Sequence, residues 1–99
     1  MIPAAGEIWL ADAGGETRRR LVFVLSDARF HRLAERAVVA PALDSAPGPL
    51  MPWHIAWRDW VVAVNQLATV RIERLLERVD TANLAALNRA RRAVHEITS

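Results

Sequence analysis

Residues 6–12 (GEIWLAD) alternate apolar Ile8 and Leu10 with Glu7, Trp9 and Ala11 and then reach Gly14 and Gly15, the pattern of a strand running into a turn. Residues 21–25 (LVFVL) are apolar without a break and rich in β formers, which predicts a central strand buried on both faces. Ser26 and Asp27 end it, and residues 13–18 close the two strands into a hairpin. Phe30 and Leu33, three apart within residues 28–35, predict a short helical turn, followed by a third strand at 37–40 that Pro41 stops. Residues 41–52 carry four of the five prolines and Gly48, which predicts a long loop of the kind that often binds ligands. Trp53, Ile55 and Trp57 then alternate with His54, Ala56 and Arg58 as a half-buried strand, and residues 60–64 make a buried one. Arg58 and Asp59 join them in a tight turn that lacks the glycine such turns favour. Residues 68–72 read as a strand, 73–77 (ERLLE) as a turn of helix, and Asp80 as the N-cap of a final helix over 81–97. On that helix Leu84, Leu87, Val94 and Ile97 mark the buried face with Ala90 between them. Arg89, Arg91 and Arg92 form a solvated face towards its C-terminus, where the helix dipole favours cations.

Composition narrows the class. A chain of 99 residues is expected to form one domain, with enough buried surface for a single core. The first residues lack a basic segment and a long apolar run, so secretion is not expected. The apolar run WVVAVNQLATV is interrupted at Asn65 and Gln66, so no membrane span is expected either. Without cysteine there is no disulfide, thiolate metal site or thiol nucleophile, and a cytoplasmic location is expected. All 13 basic residues are arginine, which lifts the isoelectric point to about 10.9 although the formal charge is only +2. The high value therefore reports arginine chemistry more than a strong net field.

Familiar catalytic motifs are missing. There is no phosphate-binding glycine loop followed by lysine, no HExxH and no GxSxG, and His31, His54 and His95 are far apart. His31 and His54 read as surface or packing residues, and no metal or cofactor is expected. Arg18, Arg19 and Arg20 stand out, because three adjacent guanidiniums at a strand entrance repel one another and must meet anions. Either Glu16, Asp12 and Glu7 of the same hairpin supply those anions or a phosphate does. Of the tryptophans, Trp57 and Trp60 read as core, whereas Trp53, beside the proline-rich loop, is a candidate platform for a base with the core as its alternative.

The ordered set GEIWLAD, RRLVFVLSD at 19–27, VVAPA at 38–42, NQLATV at 65–70 with Glu73, Arg74 and Leu75, and a helix after Arg78, Val79 and Asp80 resembles the MazF/PemK family of toxin–antitoxin ribonucleases. The resemblance implies a mainly β fold with α, a small SH3-like β-barrel of the CcdB/PemK kind with a C-terminal helix, assembled as a homodimer. It implies metal-independent cleavage of single-stranded RNA by the RNA's own 2′-hydroxyl, and neutralisation by a MazE-like antitoxin with a disordered C-terminal tail. Arg19 stands at the family's catalytic arginine, followed by Arg20 where proline is usual. Leu43 stands at the threonine position, which leaves Asp44 as the candidate base and Ser45 as the candidate phosphate donor. Arg18, Arg20, Glu16 and Trp53 are the candidate RNA contacts. The alternative is a catalytically impaired relative that binds RNA or a protein target such as DNA gyrase. The gyrase branch is disfavoured by a C-terminus without the aromatic tail of CcdB.

Overall fold

In the computed structural model, which describes residues 2–12, 19–45 and 48–98, the front of the chain forms the expected hairpin. Strand β1 (Glu7–Asp12) pairs antiparallel with β2 (Arg19–Val24), Ile8 standing opposite Phe23 and Asp12 opposite Arg19. The connection at 13–18, with Glu16 and Arg18, lies outside the described residues. Asp27 caps helix α1 (Ala28–Ala34) by accepting the Phe30 N–H at 2.9 Å, which satisfies one of the amides a first turn leaves open. Glu35, left-handed at φ 55°, closes it.

Pro41 does not stop the third strand, because β3 runs Arg36–Leu43. Its outer edge changes partner midway. Arg36 to Val39 pair with β6 (Ala68–Arg71), whereas Ala42 and Leu43 pair with β5 (Trp60–Ala63). Pro41 sits in the gap between these two partners, where a missing N–H breaks no rung on that edge. Strand β4 (His54–Trp57) pairs with β5 through the two-residue turn Arg58–Asp59. Arg58 takes the left-handed backbone, φ 52°, that such a turn requires. Its Nε donates to Asp80 Oδ2 at 2.6 Å and its guanidinium lies 5.1 Å from the Trp57 ring centre, contacts that hold a non-glycine residue in a strained position.

The expected helix at 73–77 is instead a short 3-10 turn, Ile72–Arg74, leading into strand β7 (Leu75–Thr81), which pairs with β1 and kinks twice against it. Asp80 is therefore a strand residue and no N-cap. Its carboxylate accepts from the Trp57 indole, Arg58 and the Thr81 N–H, and helix α2 (Leu84–Thr98) starts later, with Asn83 Oδ1 accepting the Ala86 N–H at 2.8 Å. The buried face of α2 is also narrower than expected. Ala86, Leu87, Ala90 and Ala93 are buried and Val94 is partly so, while Leu84 and Ile97 face solvent. Small residues on that face let the helix lie close to the sheet.

The strand order is β4-β5-β3-β2-β1-β7, with β6 added to the free half of β3. Two apolar clusters result, not the single core expected from length. Ile8, Phe23, Ala40, Ile55 and Val62 face α2, and Trp53, Trp57 and Trp60 pack partly buried against them. Trp9, Val22, Val24, Val39 and Leu75 fill the curved interior of the sheet, closed by Val70 and Ile72. Alternate residues of the same three strands point to opposite faces, so one sheet supports both clusters. His31, expected at the surface or in packing, is buried: Nδ1 donates to the Pro3 carbonyl at 2.7 Å and Nε2 meets the Ser26 hydroxyl at 2.6 Å. Among the described residues no helix is long and apolar enough to cross a membrane.

Candidate functional site

Strand β2 opens on Arg19 and Arg20, both exposed, and β3 closes on Leu43 with Asp44 and Ser45 exposed beyond it. Antiparallel neighbours bring the start of one strand beside the end of the other. The observed pairs run from Val24 opposite Val39 to Val22 opposite Pro41. The same register, continued, sets Leu43 across from Arg20 and Asp44 across from Arg19. Here the surface opens into a cleft of about 420 Å³, within the range of small-ligand sites, lined by Leu10, Arg19, Arg20, Leu21, Leu43 and Asp44 with the Pro41–Ala42 stretch between the strands.

The carboxylates of β1 have other partners. Glu7 is nearly buried; its Oε1 accepts the Ala4 N–H at 2.7 Å and the Trp9 indole at 3.0 Å, and its Oε2 accepts from Arg78 at 3.1 Å. Burial alone pushes its carboxyl up, but these donors together with the Arg78 charge outweigh it and hold the carboxyl below its usual range. Asp12 lies 3.8 Å from Arg74. Among the described residues no carboxylate forms an ion pair with Arg19 or Arg20. Neither Glu7 nor Asp12 thus pairs with Arg19 or Arg20, while Glu16 and Arg18 lie outside the described residues.

Three of the remaining candidates meet in the cleft: Arg19, Arg20 and Asp44. Ser45 follows next in the chain, exposed and outside the lining. Trp53 is elsewhere: it borders a groove with Ala93, Glu96 and Ile97 of α2 and meets His54 edge-on, so it shares no wall with the arginines. In sequence Gln66 reads only as an interruption of an apolar run. It stands in the 3-10 turn Val64–Gln66 beside a second, smaller cavity that shares Arg20 and Pro41 with the first. A polar pair inside an otherwise apolar stretch was the available signal. Chemically, the cleft offers two guanidiniums for an anion, a carboxylate able to take a proton, and an apolar wall where a hydroxyl would be expected.

A family model for PemK-like, MazF-like toxins of type II toxin–antitoxin systems matches residues 4–98. The chain belongs to this family. Solved structures of MazF-type proteins share its fold. A MazE–MazF complex from Deinococcus radiodurans superposes with a TM-score of 0.83 at 23% identity, covering 100% of this chain and 97% of that one. A mycobacterial endoribonuclease in complex with its cognate antitoxin gives 0.83 at 15% identity, over 97% and 94% of the two chains. The Mycobacterium tuberculosis toxin MazF-mt6 gives 0.75 at 14%, over 93% and 95%. No curated protein sequence matches the chain. This PemK/MazF-type toxin keeps the family's barrel and C-terminal helix while placing Arg20 and Leu43 at the cleft.

Proposed function

We propose that this toxin is an endoribonuclease acting in the cytoplasm on single-stranded RNA, as a homodimer held in check by a cognate antitoxin. The observation that carries the reading is the cleft itself, where Arg19 and Arg20 stand without ion pairs among the described residues and face the end of β3. A phosphodiester seated between the two guanidiniums would have the charge on its phosphoryl oxygens stabilised as phosphorus becomes five-coordinate. The RNA's 2′-hydroxyl attacks phosphorus, and Asp44 takes its proton. The bond to the 5′-oxygen breaks, that oxygen leaves with a proton from solvent while the Ser45 hydroxyl donates a hydrogen bond to the phosphate, and the products are a 2′,3′-cyclic phosphate and a 5′-hydroxyl. The reaction so written requires no metal ion. Solved relatives carry the names endoribonuclease and MazE–MazF, which supports both the activity and the antitoxin. The family match gives no support to the gyrase alternative.

The test is incubation of the purified protein with mixed RNA in excess EDTA, followed by mapping of fragment ends. Cleavage leaving cyclic phosphate ends is expected, with Arg19→Ala reducing the rate by about 10²–10³, the scale of one lost charge-stabilising donor. Intact RNA, or cleavage indifferent to Arg19→Ala, Asp44→Ala and Ser45→Ala alike, overturns the assignment.

A further inference from the structure

Beside the cleft, on the opposite face of β2, the curved interior of the sheet opens to solvent through a separate mouth. The cavity measures about 190 Å³ and is bounded by Val22, Val39, Pro41 and Val70, with Asp12, Arg20 and Gln66 as its polar side chains at the rim; the Asp12 carboxylate only accepts hydrogen bonds and lies 3.8 Å from Arg74. Its floor belongs to the interior cluster built from Trp9, Val22 and Val39. Such a volume is below that of drug-sized pockets and suits one flat ring system. Arg20 and Pro41 line both cavities, so an occupant of one touches the occupant of the other. Gln66 is exposed, and no hydrogen bond from its amide occurs among the described residues.

We propose that this mouth is a purine-reading subsite for the nucleotide whose phosphate lies against Arg20, with Gln66 as the specificity-determining residue. The inference rests on the ribonuclease reading above. Aliphatic side chains and a proline ring bind either face of a base and are indifferent to its identity, so identity must be read by the polar rim. With the sugar–phosphate at Arg20, the edge of the base closest to its own phosphate lies towards the rim. In a purine that edge carries the N7 acceptor, and in a pyrimidine it carries only C–H. An amide supplies the donor for N7, as in the familiar pairing of glutamine with the N6 and N7 positions of adenine. Arg20, by contrast, serves the phosphate and cannot distinguish bases.

Fluorescence anisotropy with short 2′-O-methyl oligonucleotides, which resist attack by the 2′-oxygen, separates binding from cleavage. The probes are an all-pyrimidine strand, the same strand with a single purine, and that strand with the 7-deaza purine. The single purine should tighten binding by about tenfold, the scale of one good base contact, and the 7-deaza base should lose that gain. Gln66→Ala should bind all three probes like the pyrimidine strand, with an unchanged circular-dichroism spectrum and melting temperature. Arg20→Ala should weaken all probes alike. A purine preference that survives Gln66→Ala, or equal binding of all probes by the wild type, overturns the subsite. RNA cleavage without purine preference leaves the ribonuclease reading standing and sinks the subsite alone. Purine preference without cleavage of any RNA does the reverse.

Discussion

Removing the Glu7 carboxylate tests the physical account of the barrel most directly. In Glu7→Ala the buried Trp9 indole and the partly buried Ala4 N–H lose their acceptor together. A buried donor left unsatisfied costs about 1–3 kcal/mol. Arg78, with half its side chain exposed, returns to water, so its share resembles that of a surface pair, roughly 0.2–1 kcal/mol. A total near 3 kcal/mol corresponds to a fall in melting temperature on the order of 12–24 °C for a domain of this size. Glu7→Gln keeps an oxygen for the indole and amide but sets an NH2 against Arg78, and should lose about half as much. The Glu7 carboxyl is held below its usual range in the folded state. Its ionisation therefore stabilises the wild type above the ordinary glutamate pKa, about 4.3, and that advantage fades as pH falls through the lower folded value. The gap between wild type and Glu7→Gln should narrow on acidification. Urea melts at fixed protomer concentration, followed by tryptophan fluorescence, measure both quantities. A Glu7→Ala midpoint within about 1 kcal/mol of wild type, or a gap that widens in acid, refutes the reasoning.

Leu43→Thr returns a hydroxyl to the apolar wall of the cleft and should raise RNA cleavage by at least about tenfold, part of what one positioned donor is worth; unchanged turnover would mean that the wall plays no part in the reaction. Gly6→Ala should cost about 1–2 kcal/mol of stability, because Gly6 holds φ 87° while a Cβ there would meet only ordinary contacts at 3.6 Å or more. A calorimetric melt equal to or above wild type would contradict this. Asp80→Asn should cost no more than about 1 kcal/mol, since Arg58 is mostly exposed. The Trp57 indole, opposed by burial and helped by Thr81 and Arg58, holds the Asp80 carboxyl below its usual range, so the difference should vanish in acid as that group protonates. A difference that does not shrink on acidification would sink this account.

The parts of the fold that could be read in advance are those whose signal is local. The front hairpin, α1 and the β4–β5 pair are set by alternation and by a cap only three residues from its amide. Strand β7 could not be read that way. Its sequence, LLERVDT, carries leucines and charges that suit a helix equally well, and it becomes a strand through pairing with β1, some 70 residues earlier in the chain, where Trp9 stands opposite Arg78. The same pairing removed Asp80 from the helix it was expected to cap. At the site, the family resemblance singles out Arg19 as a candidate, whereas Asp44 becomes one only where the chain departs from the pattern at Leu43; strand register explains why the two share a cleft. Trp53 could not be placed from its neighbours in sequence, because α2 packs over it from 40 residues away.

Ion pairing also fixes several of the arginines. Arg58, Arg71, Arg74 and Arg78 each lie against a carboxylate, those of Asp80, Glu73, Asp12 and Glu7. Arg58 and Arg78 thereby tie the β4–β5 turn and β7 to the body of the sheet, since Asp80 is on β7 and Glu7 on β1. Arg19 and Arg20 have no such partner among the described residues and stand where the sheet opens. Adjacent guanidiniums with like charge make the empty cleft unfavourable and a bound polyanion favourable, so under the proposed function the same repulsion that weakens the free toxin would strengthen a complex with RNA. An acidic antitoxin segment would relieve that repulsion at the same two residues and so compete with RNA by charge alone. Competition of this kind must weaken with added salt for both ligands, whereas any base preference carried by Gln66, an uncharged contact, should persist as salt rises.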